Sequence, residues 1–281
     1  YKAKRLKDFA DVFNTLPREV GDHAYLVKKF GELAPQAAQS IELRRGKDYM
    51  GDFIAYALYD ESMSVCGYQR IYAKIPKGRE DNKDIIGKAK GAFALVGDAK
   101  KIETRANIAE GLANAITYHL AEDEPCFVAL FANNLKLVAD FIRKHYADTI
   151  SKFTMIADND RKNLPINGNI GVYKAIQAIN YGNDSKDDYL IIPSCDKPIN
   201  WDFSDVLVNN DYDIKAVLSA IDNKDNRYYP NRDPIESRLN CIELMAKSQR
   251  EKSIKSLLAQ AVKLAPMRPI DSSLNTIKAR L

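Results

Sequence analysis

The sequence predicts an α/β protein, and three observations carry the prediction. Downstream of Lys101, short apolar runs alternate with helical stretches, giving three strand–helix units and a fourth, closing strand. Units repeated in that order build a mainly parallel four-stranded sheet flanked by helices, with right-handed crossovers. Acidic residues stand directly after two of the strand runs, at the carboxyl edge where ligands of such sheets sit. Upstream the pattern differs: paired strand-like runs point to a mixed α+β subdomain ahead of the sheet. The expected division is 1–98 for that subdomain, 99–208 for the sheet-bearing domain and 209–281 for a small, mostly helical tail.

Leu6, Phe9, Ala10, Phe13 and Leu16 recur at helical spacing, and Pro17 ends the run. His23–Phe30 reads as a second short helix. Asp52–Tyr59 and Ser64–Tyr72 read as strands of a hairpin turning at Asp60–Met63. Pro76–Gly91 is polar, basic and glycine-bearing, which reads as a loop, and Ala92–Val96 as a short strand. In the next segment the expected strands are Ala106–Ala109, Cys126–Phe131, Lys152–Ala157 and Tyr189–Ile192. The expected helices between them are Leu112–Leu120, Leu135–Tyr146 with Asn134 as its cap, and Gly171–Ile179. Ile214–Ile221 fits helix or strand, 223–234 reads as loop, and 235–264 as helix.

Composition narrows the function classes. The chain has 281 residues, 46% of them hydrophobic, enough to build a substantial core. No apolar run approaches the roughly 20 residues that span a bilayer, so no membrane role is expected. A net charge of +4 is compatible with nucleic acid without demanding it. The cysteines (Cys66, Cys126, Cys195, Cys241) are scattered with no C-x-x-C pair, which disfavours a zinc module and fits a reducing, cytoplasmic setting. The three histidines are far apart, and no G-x-x-x-x-G-K-[ST] run exists. Tyr1 in first position reads as an internal start within a longer protein.

The chemistry concentrates in two acidic sites. Glu110-Gly111 ends one strand, and glycine beside a carboxylate leaves room for a metal or phosphate near the backbone. Asp158-Asn159-Asp160 follows another strand, and aspartates at i and i+2 offer hard oxygen ligands of the kind Mg²⁺ prefers. Alone, the first is an ordinary strand-to-helix turn and the second an Asx-rich turn. Two helices and two strands separate them, which brings both to one sheet edge. Three converging carboxylates repel one another, so the cluster implies a bound cation or a raised pKa. Such a cluster suits phosphoryl or nucleotidyl transfer.

Ile108-Ala-Glu-Gly-Leu-Ala-Asn-Ala115, Leu130-Phe-Ala-Asn-Asn-Leu-Lys136 and Ile156-Ala-Asp-Asn-Asp160 resemble, in order and spacing, the Toprim domain. The likeness is to the variant found in primases and primase-helicases of plasmids, phages and integrated elements. Pro193–Leu207, with Asp202 and Asp205, is similar to a later acidic pattern of that family, so the resemblance covers about 92–207. Upstream, Gly67–Ile71 and Gly87–Phe93 also resemble these primases. The resemblance implies a Rossmann-like Toprim domain in which Glu110, Asp158 and Asp160 bind catalytic Mg²⁺ or Mn²⁺, with Glu110 also a general acid or base. Asp205, with Asp202, is a further ligand candidate, although an acidic first turn of a helix explains both as well. Arg70, Lys88, Lys90 and Lys136 are implied to contact the template backbone or an incoming nucleoside triphosphate. The implied partners are single-stranded DNA, nucleoside triphosphates and a replicative helicase or helicase domain outside this chain.

One departure stands out: Arg161–Pro165 intervenes before Gly168 and Gly171, where many Toprim proteins place a glycine sooner. Two other activities share the resemblance or the residues. One is phosphodiester cleavage of the Toprim nuclease or topoisomerase kind; the other is a non-catalytic DNA-binding module with a basic tail face (Arg238, Lys247, Arg250, Lys252, Lys255).

Overall fold

The computed structural model describes residues 2–162, 168–180, 185–195, 197, 199–232, 243–245, 250 and 253–255. The N-terminal half opens with helices α1 (Lys2–Thr15), α2 (Ala24–Phe30) and α3 (Ala34–Gln39). His23 caps α2, its Nδ1 accepting the Tyr25 N–H. Four antiparallel strands follow in sheet order β1 (Leu43–Asp48), β2 (Gly51–Tyr59), β3 (Val65–Tyr72) and β4 (Lys83–Gly87). One face of this sheet packs under α1, where the Phe13 and Tyr68 rings meet. The other face, with Ile54, Tyr56, Leu58 and Ile71, joins the main core.

The β2–β3 hairpin lies where the alternation places it. β4 does not follow the sequence expectation, because Lys83–Gly87 falls inside the stretch read as loop. Its neighbours are polar and glycine-bearing, which hides the Ile85-Ile86 pair, but pairing with β3 from Gly67↔Gly87 to Ile71↔Lys83 settles the strand. Strand formation here is a tertiary effect overriding local composition.

The second half is a six-stranded sheet whose order, from edge β12 (Arg227–Tyr228) to edge β5 (Ala94–Val96), is β12-β10-β8-β6-β7-β5. Its centre is parallel: β6 (Arg105–Ala109), β7 (Cys126–Val128), β8 (Lys152–Ile156) and β10 (Tyr189–Ile191). Near-continuous apolar runs mark these strands because both faces are covered. Helices α5 (Leu135–His145) and α6 (Ile170–Asn180) pack over one face, around Ile108, Phe127, Phe153, Met155 and Ile176. Helices α4 (Leu112–Glu122), α7 (Phe203–Asn209) and α8 (Ile214–Asp222) cover the other, and Leu112, Ile116, Phe203 and Val217 share one core with Leu26, Phe30 and Ile54 of the first half. Each such fully buried aliphatic or aromatic side chain stabilises by roughly 1.5–3 kcal/mol.

Antiparallel edge strands extend the sheet beyond 99–208 on both sides: β5 (Ala94–Val96) against β7, and β12 (Arg227–Tyr228) against β10. The segment left open at 214–221 is helix α8, and the stretch read as loop after it contains β12. A two-stranded ladder, β9 (Asn159–Asp160) with β11 (Asn200–Trp201), stands off the sheet edge and was not visible in the pattern. Most of the helix expected over 235–264 lies outside the described residues, as do Arg238, Lys247 and Lys252. Among the described residues no helix is long and apolar enough to cross a membrane, and Cys66, Cys126 and Cys195 are free thiols.

Candidate active site

Parallel pairing brings the acidic motifs together. Ala109 of β6 stands opposite Ile156 of β8, so Glu110 and Asp158 emerge from neighbouring strand ends. Asp160 follows on β9, and the turn into α7 carries Asp202 from the far side. Glu110 is largely buried, and its carboxyl is pushed up to about 7 by loss of solvent and by Asp160, against the opposing pull of Lys83 and the Ala132 N–H. Asp158 is raised well above the usual carboxylate range by burial, then by the charges of Asp202, Glu110 and Asp160. Asp160 is raised by burial, with the Gly171 N–H working against the shift. The expected mutual repulsion is therefore present, with Asp202 as its fourth member.

Hydrogen bonds hold both aspartates of the triplet in place. The Asn114 amide donates to Asp158 Oδ1 at 2.8 Å and its oxygen accepts the Phe203 N–H at 3.2 Å, tying the aspartate to the start of α7. Asn159, the middle residue of the acidic triplet, is buried; its amide donates to Pro193 O and its oxygen accepts from Asn169. Asn169 Oδ1 accepts the Asp160 N–H and the Val172 N–H at the start of α6. Gly171, in the first turn of α6, donates its N–H to Asp160 Oδ2 at 3.0 Å. A Cβ at Gly171 would lie 2.6 Å from the Asp158 carbonyl and 3.1 Å from Asp160 Oδ2, so only glycine fits. The longer loop thus still delivers a glycine to the aspartate pair.

Asp202 and Asp205 form a capping box on α7: Asp202 Oδ1 accepts the Asp205 N–H, and Asp205 Oδ2 accepts the Asp202 N–H. Asp205 also pairs with Lys29 of α2 at 3.4 Å, so its carboxylate is committed to the helix start and to the first half. Asp202 is the one of the two whose charge reaches Glu110, Asp158 and Asp160.

The basic candidates are dispersed. Arg70 is clamped between Asp48, at 2.6 Å, and Asp84, and stacks on the Phe53 and Tyr72 rings. Lys88 and Lys90 are exposed on the loop after β4. Lys136 pairs with Asp140 one turn along α5. The cation that reaches the carboxylates is Lys83 of β4, which acts on both Glu110 and Asp158 and whose Nζ lies 4.0 Å from the position of a Cβ on Gly111. Sequence reasoning missed Lys83 because its strand was read as loop. It missed Asn114 because an asparagine inside a helix carries no signal beyond its i+4 spacing from Glu110.

Among the described residues no three carboxylate, histidine or cysteine side chains close on a single ion-sized point. The donor set nevertheless suits a hard divalent cation: all oxygen, largely buried, and short of positive charge beyond Lys83.

No protein-family model matches the sequence, and no curated protein is similar enough in sequence to match it. Solved structures do match. The RNA polymerase domain of Mycobacterium tuberculosis primase DnaG, in complex with a double-stranded DNA oligomer bearing a 6-nucleotide overhang, aligns over 100% of this chain and 96% of its own, with TM-score 0.54 and 11% identity. A DNA primase domain from Pseudomonas aeruginosa aligns over 90% of this chain and 94% of its own, with TM-score 0.53 and 10% identity. The Aquifex aeolicus primase, with its zinc-binding and RNA polymerase domains, aligns over 91% and 71% respectively, with TM-score 0.50 and 12% identity. The likeness spans both the four-stranded sheet and the Toprim-like parallel sheet of this chain, which has the fold of the DnaG-type DNA primase catalytic core.

Proposed function

We propose that this chain is the catalytic core of a DNA primase that makes short primers on single-stranded DNA by metal-dependent nucleotidyl transfer, in the replication of a plasmid, phage or integrated element. The observation that carries the proposal is the half-buried cluster Glu110, Asp158, Asp160 and Asp202 at the carboxyl edge of the parallel sheet, faced by Lys83 from the other half. Like charges gathered in a partly desolvated site are costly, and such clusters concentrate at functional sites.

Glu110, Asp158 and Asp160 would hold Mg²⁺ or Mn²⁺, with Asn114 and Gly171 fixing the aspartates. When bound, such an ion activates a hydroxyl nucleophile and neutralises a triphosphate. Glu110, with its raised pKa, is suited to taking or returning a proton at its own carboxyl oxygen. Lys83 is placed to pair with a phosphate oxygen beside Gly111. Exposed Lys88 and Lys90 suit the backbone of the template, and Lys136 the same strand further along. A replicative helicase acting with this core, nucleoside triphosphates as substrates and a cytoplasmic location complete the reading.

The test is primer synthesis on single-stranded DNA with labelled nucleotides and Mg²⁺ or Mn²⁺. Wild type should yield short products. Asp158→Ala/Asp160→Ala should yield none, and Lys83→Ala should lower the rate by about 10²-fold or more, as loss of a group that stabilises developing charge does. Template cleavage in place of synthesis, lost in the double variant, would overturn the primase reading in favour of a nuclease.

A further inference from the structure

Asn134 stands at the start of α5, where it would be expected to cap the helix, yet its side chain makes no cap bond. The carboxamide is fully buried and turned the other way. Its Oδ1 accepts the Gly91 N–H at 2.7 Å, and its Nδ2 donates to Ala92 O at 2.7 Å and Ala129 O at 2.8 Å. One side chain thus joins the loop after β4 to the carboxyl end of β7.

Each tied segment has a reason to need the tie. The loop exposes Lys88 and Lys90 and turns through Gly91 at φ +70, where nothing lies within 4 Å of a Cβ, so packing does not hold it. The Lys88 N–H also bonds Cys66 O, at 3.0 Å. On the β7 side, Leu130 takes φ +75, a conformation that a branched side chain adopts only under constraint. At the start of the same turn, the Ala129 N–H bonds Ala109 O, directly before Glu110, at 2.8 Å.

We propose that Asn134 is a positioning residue: its buried amide locks the Lys88–Lys90 loop and the Leu130–Ala132 turn to each other, and so sets the basic loop and Glu110 in one frame. The functional half of this inference rests on the primase reading; the mechanical half does not.

Two measurements on the full chain test it. The first is limited trypsin digestion, well below the melting midpoint, of wild type and Asn134→Ala. Cleavage after Lys88 and Lys90 should speed up by about tenfold or more while other sites keep their rates, because local opening is what a lost clamp produces. The second is a double-mutant cycle on single-stranded DNA affinity. Lys88→Ala/Lys90→Ala should weaken binding by about tenfold or more in wild type but by no more than about twofold in Asn134→Ala, since the clamp and the lysines act as one unit. Unchanged or uniformly faster proteolysis would overturn the lock, and additive effects in the cycle would reduce Asn134 to a folding role. If the loop opens as expected but wild type makes no primers, the primase reading fails and the lock stands. If primers form and the loop stays closed, the lock fails and the primase reading stands.

Discussion

Gly171 and Glu110 show how individual residues set the site. Gly171 brings a backbone N–H against Asp160 where any side chain would strike the Asp158 carbonyl at 2.6 Å. Gly171→Ala should therefore cost roughly 1–3 kcal/mol by overpacking and weaken the response to Mg²⁺, read by denaturant melts with and without the ion. The sole tryptophan, Trp201, pairs with Asn159 on the β9–β11 ladder and gives a fluorescence signal for ion binding without any turnover. Glu110 gives a pH signature. Its folded pKa, about 7, lies above the ordinary carboxylate value of 4.5, so between those values the folded chain holds a proton that the unfolded chain has released. The metal-free chain should accordingly lose stability as pH rises from 5 to about 8, and Mg²⁺ should restore most of it at the upper end. Glu110→Gln should flatten that slope and stabilise the metal-free chain at pH 8 by on the order of 1 kcal/mol, measured by calorimetry across the range.

At the scale of elements, the start of α7 separates two aspartates that the sequence alone treats alike. Both belong to one capping box, but Asp205 faces Lys29 whereas the charge of Asp202 reaches the carboxylate cluster. Asp205→Ala should cost about 0.5–2 kcal/mol in stability, as lost capping residues do, while leaving the Trp201-detected ion affinity within about twofold. Asp202→Ala should lose similar stability and, in addition, weaken ion binding. Equal effects of the two substitutions on ion affinity would show that Asp205 ligates after all. The α6 start is built on the same plan, with Asn169 bonding both Asp160 and Val172, so helix termini on two sides fix the acidic motif.

For the molecule as a whole, the two halves meet in a shared core and across the site: Leu26, Phe30 and Ile54 pack with Leu112 and Phe203, while β4 supplies Lys83. Neither half alone contains both the anionic cluster and the cation that faces it. Binding to single-stranded DNA should fall with salt, and Lys88→Ala/Lys90→Ala should lower the slope of log affinity against log salt by about 1.4, the share of two phosphate contacts on a single strand. Fluorescence anisotropy over a salt series measures that slope. An unchanged slope would place the template elsewhere.

The sequence by itself determined the α/β class, the parallel direction of the central strands and the position of Glu110 and Asp158 at their ends with Asp160 just beyond, because buried parallel strands read as apolar runs and their carboxyl ends follow from chain direction. It also carried the hairpin of β2 and β3 in its alternation. It did not determine β4, β9, β11 or β12, which are five residues or fewer and are settled by pairing with another strand rather than by their own composition. Lys83, Asn114 and the reoriented Asn134 were hidden for the same reason. A polar side chain's role depends on what long-range packing sets opposite it, and only the tertiary structure decides that.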